Sequence, residues 1–354
     1  MKFRSALLLV PSALALAGAL LVPAAAGSAA SRHGHAPTTL RELARQQHIK
    51  IGSAVDVTAL ANEADYRTVL NREFNNITAE NAMKWESIEP QRGVFDWSGA
   101  DAIMANAKRN HQTVRGHNLV WHSQLPKWLT DNEANFTAAQ LRAILRDHIK
   151  TEVGRYRGKI RAWDVLNEAV NDGGGLRDTI WLRKLGRGYI ADIFRWAHEA
   201  DPHAKLYYND YNLESDQAKF DTMYRTVKRL LAHDVPIDGV GFQGHLDIQF
   251  GFPDFAGHMK RVTDLGLEVA ITEADVRMIL PVTNEKLATQ ASYYRQMMTA
   301  CLGNRRCTEY TVWGFTDRHS WVPGFFAGEG AACLFDENLA PKPAVGALLA
   351  LGRS

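Results

Sequence analysis

Two apolar segments of the chain, each running into a glutamate, have the residue types for acid–base or nucleophilic chemistry. They are Trp163–Glu168 and Val269–Glu273, and the glutamates lie 105 residues apart in the sequence. A buried carboxylate without a partner is costly, so a glutamate at the tip of an apolar strand indicates a use. Two such tips predict a pair of carboxylates on one cleft. Paired carboxylates that flank a bond are the groups that cleave glycosidic linkages.

The segments that must position these glutamates alternate between strand-like and helix-like patterns. Apolar residues recur every three or four positions in Ala100–Asn110, Ala138–Tyr156 and Asp221–His233, which predicts helices. Eight strands separated by helices predict an α/β protein with a (β/α)8 TIM barrel, whose active site lies at the carboxyl ends of the strands. The predicted strands are His48–Asp56, Asn76–Asn81, Thr113–Trp121, Ile160–Glu168, Lys205–Asn212, Val240–Leu246, Glu268–Val276 and Tyr310–Asp317.

Polar and aromatic residues follow nearly every predicted strand. Amides and carboxylates hydrogen-bond sugar hydroxyls, and aromatic faces cover the apolar side of a sugar ring, so the mixture predicts a carbohydrate cleft. Taken singly, most of these residues have a structural alternative: Glu80 and Lys84 could form a surface ion pair, and Asn209 a turn. His122 and His148 are expected to be structural or surface histidines.

The first 30 residues have the pattern of a secretory signal peptide. Lys2 and Arg4 precede an apolar run and then small residues, and the alternative is an N-terminal membrane anchor. Residues 1–30 contain no acidic residue, so their removal lowers the formal net charge from +2 to zero. Such a charge favours neither nucleic acid nor an anionic membrane as a partner. We therefore expect cleavage near residue 30 and a secreted, extracellular chain.

The mature chain is expected to be one catalytic domain over residues 31–354, without an appended carbohydrate-binding module, because no linker or second composition appears. Export would permit a disulfide between Cys301 and Cys307, and Cys333 is expected to be a buried small hydrophobe. The cysteine spacing gives no metal framework, so neither a metal nor a cofactor is expected.

The chain resembles the family 10 glycoside hydrolases, which are secreted endo-1,4-β-xylanases built on a (β/α)8 barrel. The resemblance covers residues 40–350 and depends on seven motifs in order. They are Thr-Ala-Glu-Asn-x-Met-Lys-Trp from Thr78, Gly-His-x-Leu-Val-Trp-His-Ser-Gln-Leu-Pro from Gly116, Trp-Asp-Val-x-Asn-Glu-Ala from Trp163, Tyr-Asn-Asp-Tyr-Asn from Tyr208, Gly-x-Gln-x-His-Leu from Gly241, Ile-Thr-Glu-x-Asp from Ile271, and Val-Trp-Gly-x-Thr-Asp from Val312.

The resemblance implies roles for individual residues. Glu168 would be the general acid/base and Glu273 the nucleophile of a retaining mechanism, with Glu168 protonated and Glu273 ionised. His245 would hydrogen-bond Glu273, Asp275 would orient that imidazole, and Asn167 would contact the sugar 2-hydroxyl.

By the same resemblance, the remaining residues would bind substrate. Glu80, Asn81 and Lys84 would hold the non-reducing-side sugars, with His117, Trp121 and Gln124 around the central one. Tyr208, Asn209 and Gln243 would face the leaving group, and Trp313 and Trp321 would form an aromatic wall. The glycine-rich segment Asp172–Leu176 lacks the Lys-Ser/Thr of a phosphate loop and is expected near the leaving-group side.

These observations leave rival functions open. The preferred prediction is a monomeric, cofactor-free endo-1,4-β-xylanase that acts on xylan and xylo-oligosaccharides. A second possibility keeps the barrel but changes the polymer to cellulose, mannan or another β-glycan. A third is a carbohydrate-binding protein on a decayed barrel, and the presence of Glu168, Glu273 and His245 argues against it.

Overall fold

The computed structural model describes residues 35–353, so the predicted signal peptide at residues 1–30 lies outside the described part of the chain. From Ala36 onward the chain forms one compact unit. In this range, no helix is long and apolar enough to cross a membrane.

The described chain alternates strands and helices along most of its length. The strands are β1 Lys50–Val55, β2 Asn76–Ala79, β3 Thr113–Val120, β4 Ala162–Asn167, β5 Lys205–Asp210, β6 Gly239–Phe242, β7 His245–Asp247, β8 Glu268–Ile279, β9 Cys307–Val312 and β10 Glu329–Gly330. The helices are α1 Leu40–Gln46, α2 Val57–Asn62, α3 Ala64–Glu73, α4 Trp85–Ile88, α5 Ser98–Arg109, α6 Lys127–Thr130, α7 Ala138–Arg155, α8 Ile180–Leu185, α9 Tyr189–Ala200, α10 Gln217–Leu231, α11 Phe255–Thr263, α12 Asn284–Leu302, α13 Val322–Phe325 and α14 Pro343–Leu349.

Eight parallel strands close into a barrel, which confirms the predicted (β/α)8 fold. Strands β1 to β6 pair in sequence order, β6 pairs with β8, β8 with β9, and β9 with β1. Parallel neighbours require crossover connections, and the helices that supply them bury apolar stripes against the barrel. In α9 the buried positions Ile190, Ile193, Phe194 and Ala197 have the three- and four-residue spacing of one helix face.

Close approach between β3 and β4 explains one glycine of the sequence motifs. A Cβ atom at Gly116 would lie 2.1 Å from the ring of Trp163, which is fully buried on the neighbouring strand. Only a residue without a side chain leaves room for this indole, so Gly116 serves packing rather than chemistry.

The predicted sixth strand differs from the observed one. The sequence predicts one strand over Val240–Leu246, but the observed strand β6 ends at Phe242. Gly244, two residues later, adopts a positive φ of 77°. The backbone resumes as β7, where His245 pairs with Asp275 of β8. The break matters for the site because it brings His245 into register with the strand that carries Glu273.

The cysteines lie as the sequence predicts. Cys301 and Cys307 form a disulfide with their Cα atoms 5.3 Å apart, which joins the end of α12 to the start of β9. Cys333 is a buried free thiol, and burial raises its pKa, so it packs as a small hydrophobe.

Candidate active site

Glu168 lies at the carboxyl end of β4 in a strained backbone conformation. Its φ of 53° is in the left-handed region, which non-glycine residues rarely adopt and which is concentrated at functional sites. Its side chain accepts hydrogen bonds from Trp121 Nε1 at 2.8 Å and from Gln243 Nε2 at 3.1 Å. Two donors therefore fix the carboxyl group while it stays partly exposed at the mouth of the barrel.

Glu273 is buried on β8, one residue before Ala274, the last position of β8 that pairs with β9. Its Oε1 accepts a 2.7 Å hydrogen bond from Asn209 Nδ2, and its Oε2 lies 3.2 Å from His245 Nε2. Burial by itself would raise the pKa of Glu273, but the hydrogen bond from His245 and the electrostatic interactions with His117 and His245 outweigh it. The net effect lowers the pKa, so Glu273 is ionised over the neutral range.

His245 lies between two carboxylates. Its Nε2 faces Glu273, and its Nδ1 forms an ion-pair contact with Asp275 Oδ1 at 3.0 Å. Burial favours the neutral imidazole, but Asp275 and Glu273 overcome this and raise the pKa of His245 to about 10. Asp275 is held in turn by Trp321, whose Nε1 donates to Asp275 Oδ2 at 2.7 Å. The two acidic residues thus share one imidazolium ion.

A chain of amides connects the two glutamates. Asn167 Oδ1 accepts from Asn209 Nδ2 at 2.9 Å and from Gln243 Nε2 at 3.4 Å. Because Asn209 also donates to Glu273 and Gln243 also donates to Glu168, the amides link both carboxylates across β4, β5, β6 and β8. These shared hydrogen bonds orient the amides and both carboxyl groups relative to one another.

A second cluster lies beside the carboxylates, after β2 and β3. Lys84 Nζ donates to Asn81 Oδ1 at 3.0 Å, Gln124 Nε2 lies 3.3 Å from the same oxygen, and the ammonium lies 4.9 Å from the ring centre of Trp121. Lys84 is buried, and its amine donates to Asn81. It therefore does not form an ordinary surface ion pair with Glu80, which was the structural alternative. Burial and the charge of Asp56 raise the pKa of Glu80 to about 7, against the opposing effect of Lys84.

His117 and Trp313 complete the floor of the site. His117 Nδ1 lies 2.9 Å from Asp164 Oδ2 and 3.9 Å from Glu273 Oε1, and its ring centre lies 5.0 Å from that of Trp313. The rings of Trp313 and Trp321 both adjoin His245, at 6.4 and 5.1 Å between ring centres. The predicted aromatic pair therefore flanks the imidazolium of His245.

Two of the predicted sugar contacts lie elsewhere. Tyr208 is 1% exposed, and its hydroxyl donates to Asp210 rather than facing the cleft. Asn209 is fully buried, and its amide is committed to Asn167 and Glu273. The prediction of direct leaving-group contacts is corrected for both residues, because Tyr208 lies on the opposite face of β5 and Asn209 lies beneath the carboxylate. The side chain of Gln243 is 2% exposed, and its amide nitrogen donates to Glu168 and Asn167.

Sequence reasoning missed two partly exposed residues close to Glu168, Tyr211 and Arg177. Tyr211 is partly exposed, accepts a 2.9 Å hydrogen bond from Arg177 Nη2, and has Lys219 Nζ 3.2 Å from its ring centre. Arg177 Nε donates to the carbonyl oxygen of Glu168 at 2.9 Å. Tyr211 is the second tyrosine of the motif Tyr-Asn-Asp-Tyr-Asn, and the sequence could have indicated it. Strand β5 ends at Asp210, so Tyr211 is the first residue after the strand.

Sequence reasoning also missed the charged network under the site. Arg115 is fully buried inside the barrel, where its guanidinium contacts Asp164 at 3.1 Å and Glu309 at 3.3 Å. Burial would raise the pKa of Asp164, but Arg115 and the hydrogen bond from His117 hold it below the ordinary value. Asp164 therefore remains an ionised acceptor that orients His117.

The arrangement brings together the groups that acid–base and nucleophilic chemistry need. Within residues 35–353, no group of three or more His, Cys, Asp or Glu side chains has the arrangement of a metal site. Glu273 is ionised and held by two donors, and Glu168 is partly exposed with its backbone anchored by Arg177. An ionised nucleophile and a second carboxyl on a different strand are the components of glycosidic bond cleavage.

Residues 39–351 match the model of glycosyl hydrolase family 10. Among curated proteins, the chain is similar to endo-1,4-β-xylanase of Agaricus bisporus, with 46% identity over 83% of this chain and 86% of that protein. It is also similar to endo-1,4-β-xylanase B of Thermotoga neapolitana, with 43% identity over 88% of this chain and 91% of that protein.

Solved structures give the same result for the fold. Native xylanase 10B from Thermotoga maritima superposes with a TM-score of 0.85 at 43% identity, over 89% of this chain and 98% of that one. Xylanase 10B from Thermotoga petrophila RKU-1, solved in complex with xylobiose, has a TM-score of 0.86 at 42% identity, over 90% of this chain and 99% of that one.

Proposed function

The chain belongs to glycosyl hydrolase family 10, and we propose that it is an endo-1,4-β-xylanase that hydrolyses xylan with retention of anomeric configuration. The observation that carries the proposal is the amide chain that links Glu168 to Glu273. It holds an ionised carboxylate and a partly exposed carboxyl on separate strands of one cleft. The xylanases named above, one of them solved with xylobiose, support the choice of polymer.

In the first step, an oxygen of Glu273 attacks the anomeric carbon while the bond from that carbon to the leaving sugar breaks. Glu168 gives its proton to the departing oxygen. The products of this step are a shortened xylan chain and a covalent ester between the sugar and Glu273. His245 and Asn209, which bond Glu273, keep its charge available for attack because they favour the ionised form.

In the second step, Glu168, now ionised, takes a proton from a water molecule whose oxygen attacks the same carbon. The ester bond breaks, Glu273 recovers its electron pair and Glu168 recovers its proton, so one water is consumed per cleaved bond. Two inversions at one carbon give net retention. Trp121 and Gln243 hold Glu168 in both roles because each bonds one of its oxygens.

Substrate recognition is assigned to the cluster beside the carboxylates. Asn81, Lys84 and Gln124 offer hydrogen-bonding groups to sugar hydroxyls on the non-reducing side, with Glu80 beside them. Trp313 and Trp321 supply aromatic surface, and Tyr211 with Arg177 borders the leaving-group side. The substrate is xylan or a xylo-oligosaccharide. We also propose export through residues 1–30, since they have the pattern of a signal peptide. We further propose a monomeric mature chain, since one chain supplies every residue of the site.

The proposal is tested by reducing-sugar release from xylan, cellulose and mannan at equal polymer concentration. We expect release from xylan to exceed release from cellulose and from mannan by at least about 100-fold. Glucose and mannose carry a hydroxymethyl group that xylose lacks, and a steric clash with that group would raise the activation free energy for these polymers by several kcal/mol. Comparable rates on two of the polymers would replace xylan with a broader β-glycan specificity. No release from any of them would favour a binding protein.

Replacing His245 with Gln should move the acidic limb of the pH profile of kcat/KM to higher pH. Activity requires ionised Glu273 and is lost as the pH falls through its pKa. The imidazolium of His245 lowers that pKa, so removing it raises the pKa and moves the acidic limb with it. The control is His198→Gln, at an exposed position on α9. An unchanged acidic limb in the His245 variant would contradict the electrostatic role.

A further inference from the structure

A groove with four arginines lies on the outside of the barrel, between α9 and α10. We call it the arginine groove; its volume is about 630 Å³. Leu176, Ile190, Ala191, Leu230 and Val235 form its apolar part. Its charged lining consists of Arg187, Arg195, Arg225 and Arg229, with His233 beside them and no acidic residue among the lining positions.

The lining of this groove supplies no carboxylate to pair with its arginines. Asp221, one turn before Arg225 on α10, pairs with Arg261, although the charge of Arg225 also lowers its pKa. Arg225 and Arg229 lie one turn apart on α10, where like charges repel. Arg195 Nη2 bonds the carbonyl of His233, and Arg225 Nη2 bonds Thr222 Oγ1, so the contacts these two make are neutral. The two acidic residues of α9 pair with basic residues of α7 instead, Asp192 with Arg142 and Glu199 with Lys150. Within residues 35–353, none of the four arginines has a carboxylate partner at ion-pair distance.

The groove is connected to the catalytic residues by one short loop. The loop begins at Glu168 and Ala169, and Val170 pairs with Leu176 as an isolated β-bridge. It docks on α10 through a 3.2 Å hydrogen bond from Gly175 N to Thr222 Oγ1. At Gly174, φ is 93° and a Cβ atom would lie 3.0 Å from the carbonyl oxygen of Ala218. The loop can dock this closely because the residue there is glycine, and its outer side forms one end of the arginine groove.

We propose that the arginine groove is a second polysaccharide-binding site that holds uronic-acid side groups of an acidic xylan while another stretch of the same chain occupies the cleft. The proposal depends on the proposed function. Guanidinium groups bind carboxylates in a bidentate manner, and the apolar part of the groove suits the C–H faces of sugar rings. A nucleic acid is disfavoured because, among the lining residues, only His233 offers a ring for base stacking.

The test compares the parent enzyme with Arg225→Gln/Arg229→Gln. Glutamine keeps the helix propensity and removes two charges. The control is Lys108→Gln/Arg109→Gln, two exposed basic residues that end α5 and lie outside the groove. The substrates are glucuronoxylan, the same polymer with its carboxyl groups reduced to alcohols, and neutral xylotetraose.

We expect the groove variant to raise KM for glucuronoxylan about three- to tenfold at low ionic strength, with kcat unchanged, because two exposed charge contacts are lost. KM for the reduced polymer and for xylotetraose should not change. An unchanged KM for glucuronoxylan, an equal rise with the reduced polymer, or an equal rise in the control variant would overturn the proposal.

A binding measurement separates this proposal from the proposed function. Retention on insoluble glucuronoxylan is measured for Glu273→Ala alone and for Glu273→Ala combined with the groove substitutions. Weaker retention of the combined variant supports the groove whether or not the parent enzyme cuts xylan. Equal retention overturns the groove, and retention that nucleic acid abolishes while free glucuronate does not would assign the groove to nucleic acid instead.

Discussion

Glu273→Ala is expected to lower kcat on xylan by at least about 10⁴-fold, because the substitution removes the atom that attacks the anomeric carbon. Polysaccharide binding should remain measurable, since Lys84, Asn81 and Gln124 are unchanged. The measurement is initial-rate reducing-sugar release together with a binding isotherm. The control is Glu268→Ala at the other end of β8, where the side chain bonds Tyr207 outside the site; its kcat should stay within about twofold of the parent.

Azide makes the assignment of Glu273 more specific. In Glu273→Ala, azide can enter the space left by the carboxylate and attack an aryl xylobioside from the face opposite the leaving group, so the product should be the α-glycosyl azide. Thermal unfolding of the variant checks that the barrel persists, since the loss of Glu273 leaves His245 and Asn209 without one partner each. Hydrolysis at the parent rate in a folded Glu273→Ala protein would contradict the nucleophile assignment.

Glu168→Ala is expected to show an effect that depends on the leaving group. On xylan, kcat should fall on the order of 10³-fold or more, because the departing alkoxide then leaves without a proton. With a 2,4-dinitrophenyl xylobioside the first step needs no acid, so it should stay fast and the ester on Glu273 should accumulate, giving a burst of dinitrophenolate. Stopped-flow absorbance measures the burst and the slow phase that follows.

The control for this prediction is Glu133→Ala, at a surface position where the carboxylate pairs with Arg183; it should behave as the parent on both substrates. Azide added to Glu168→Ala should speed the second step and give the β-glycosyl azide, the opposite anomer to that of the Glu273 variant. A loss of equal size on xylan and on the dinitrophenyl substrate would show that Glu168 is not the acid.

The positions of the carboxylates and of the His245 imidazole were predictable, because the two-residue period of a strand and the place where it ends determine which side chains meet. Glu273 and Asp275 are two residues apart on β8, so they share a face and bracket His245 as expected. The eight barrel strands were predictable from alternation with helices, and the disulfide from the spacing of Cys301 and Cys307. The sixth strand was predicted too long because one positive φ at Gly244 interrupts it, and sequence pattern carries no dihedral angle.

The errors in the site have a similar local cause. Consecutive residues of a strand face opposite sides, so Tyr208 and Asn209 of β5 could not both contact the leaving group. Which of them faces inward depends on where the strand starts, and a shift of one residue exchanges the faces. Asn209 faces inward but lies under Glu273, and the accessible tyrosine is Tyr211, after the strand has ended.

The buried charges escaped prediction for a different reason. Arg115, Asp164 and Glu309 come from three separate strands, β3, β4 and β9, and each would be costly inside the barrel alone. Their mutual contacts depend on barrel closure, which brings together residues up to 194 positions apart. No local pattern encodes such a pairing, so the residue that orients His117 became visible only in the folded chain.

The anomeric configuration of the first product tests the central claim most directly. Xylotetraose is cleaved by the parent enzyme inside an NMR tube, and the anomeric proton of the new reducing end is followed before mutarotation sets in. A retaining double displacement through Glu273 and Glu168 predicts that the β anomer forms first and the α anomer appears only with mutarotation. Initial formation of the α anomer would mean a single displacement by water, which contradicts the nucleophile assigned to Glu273.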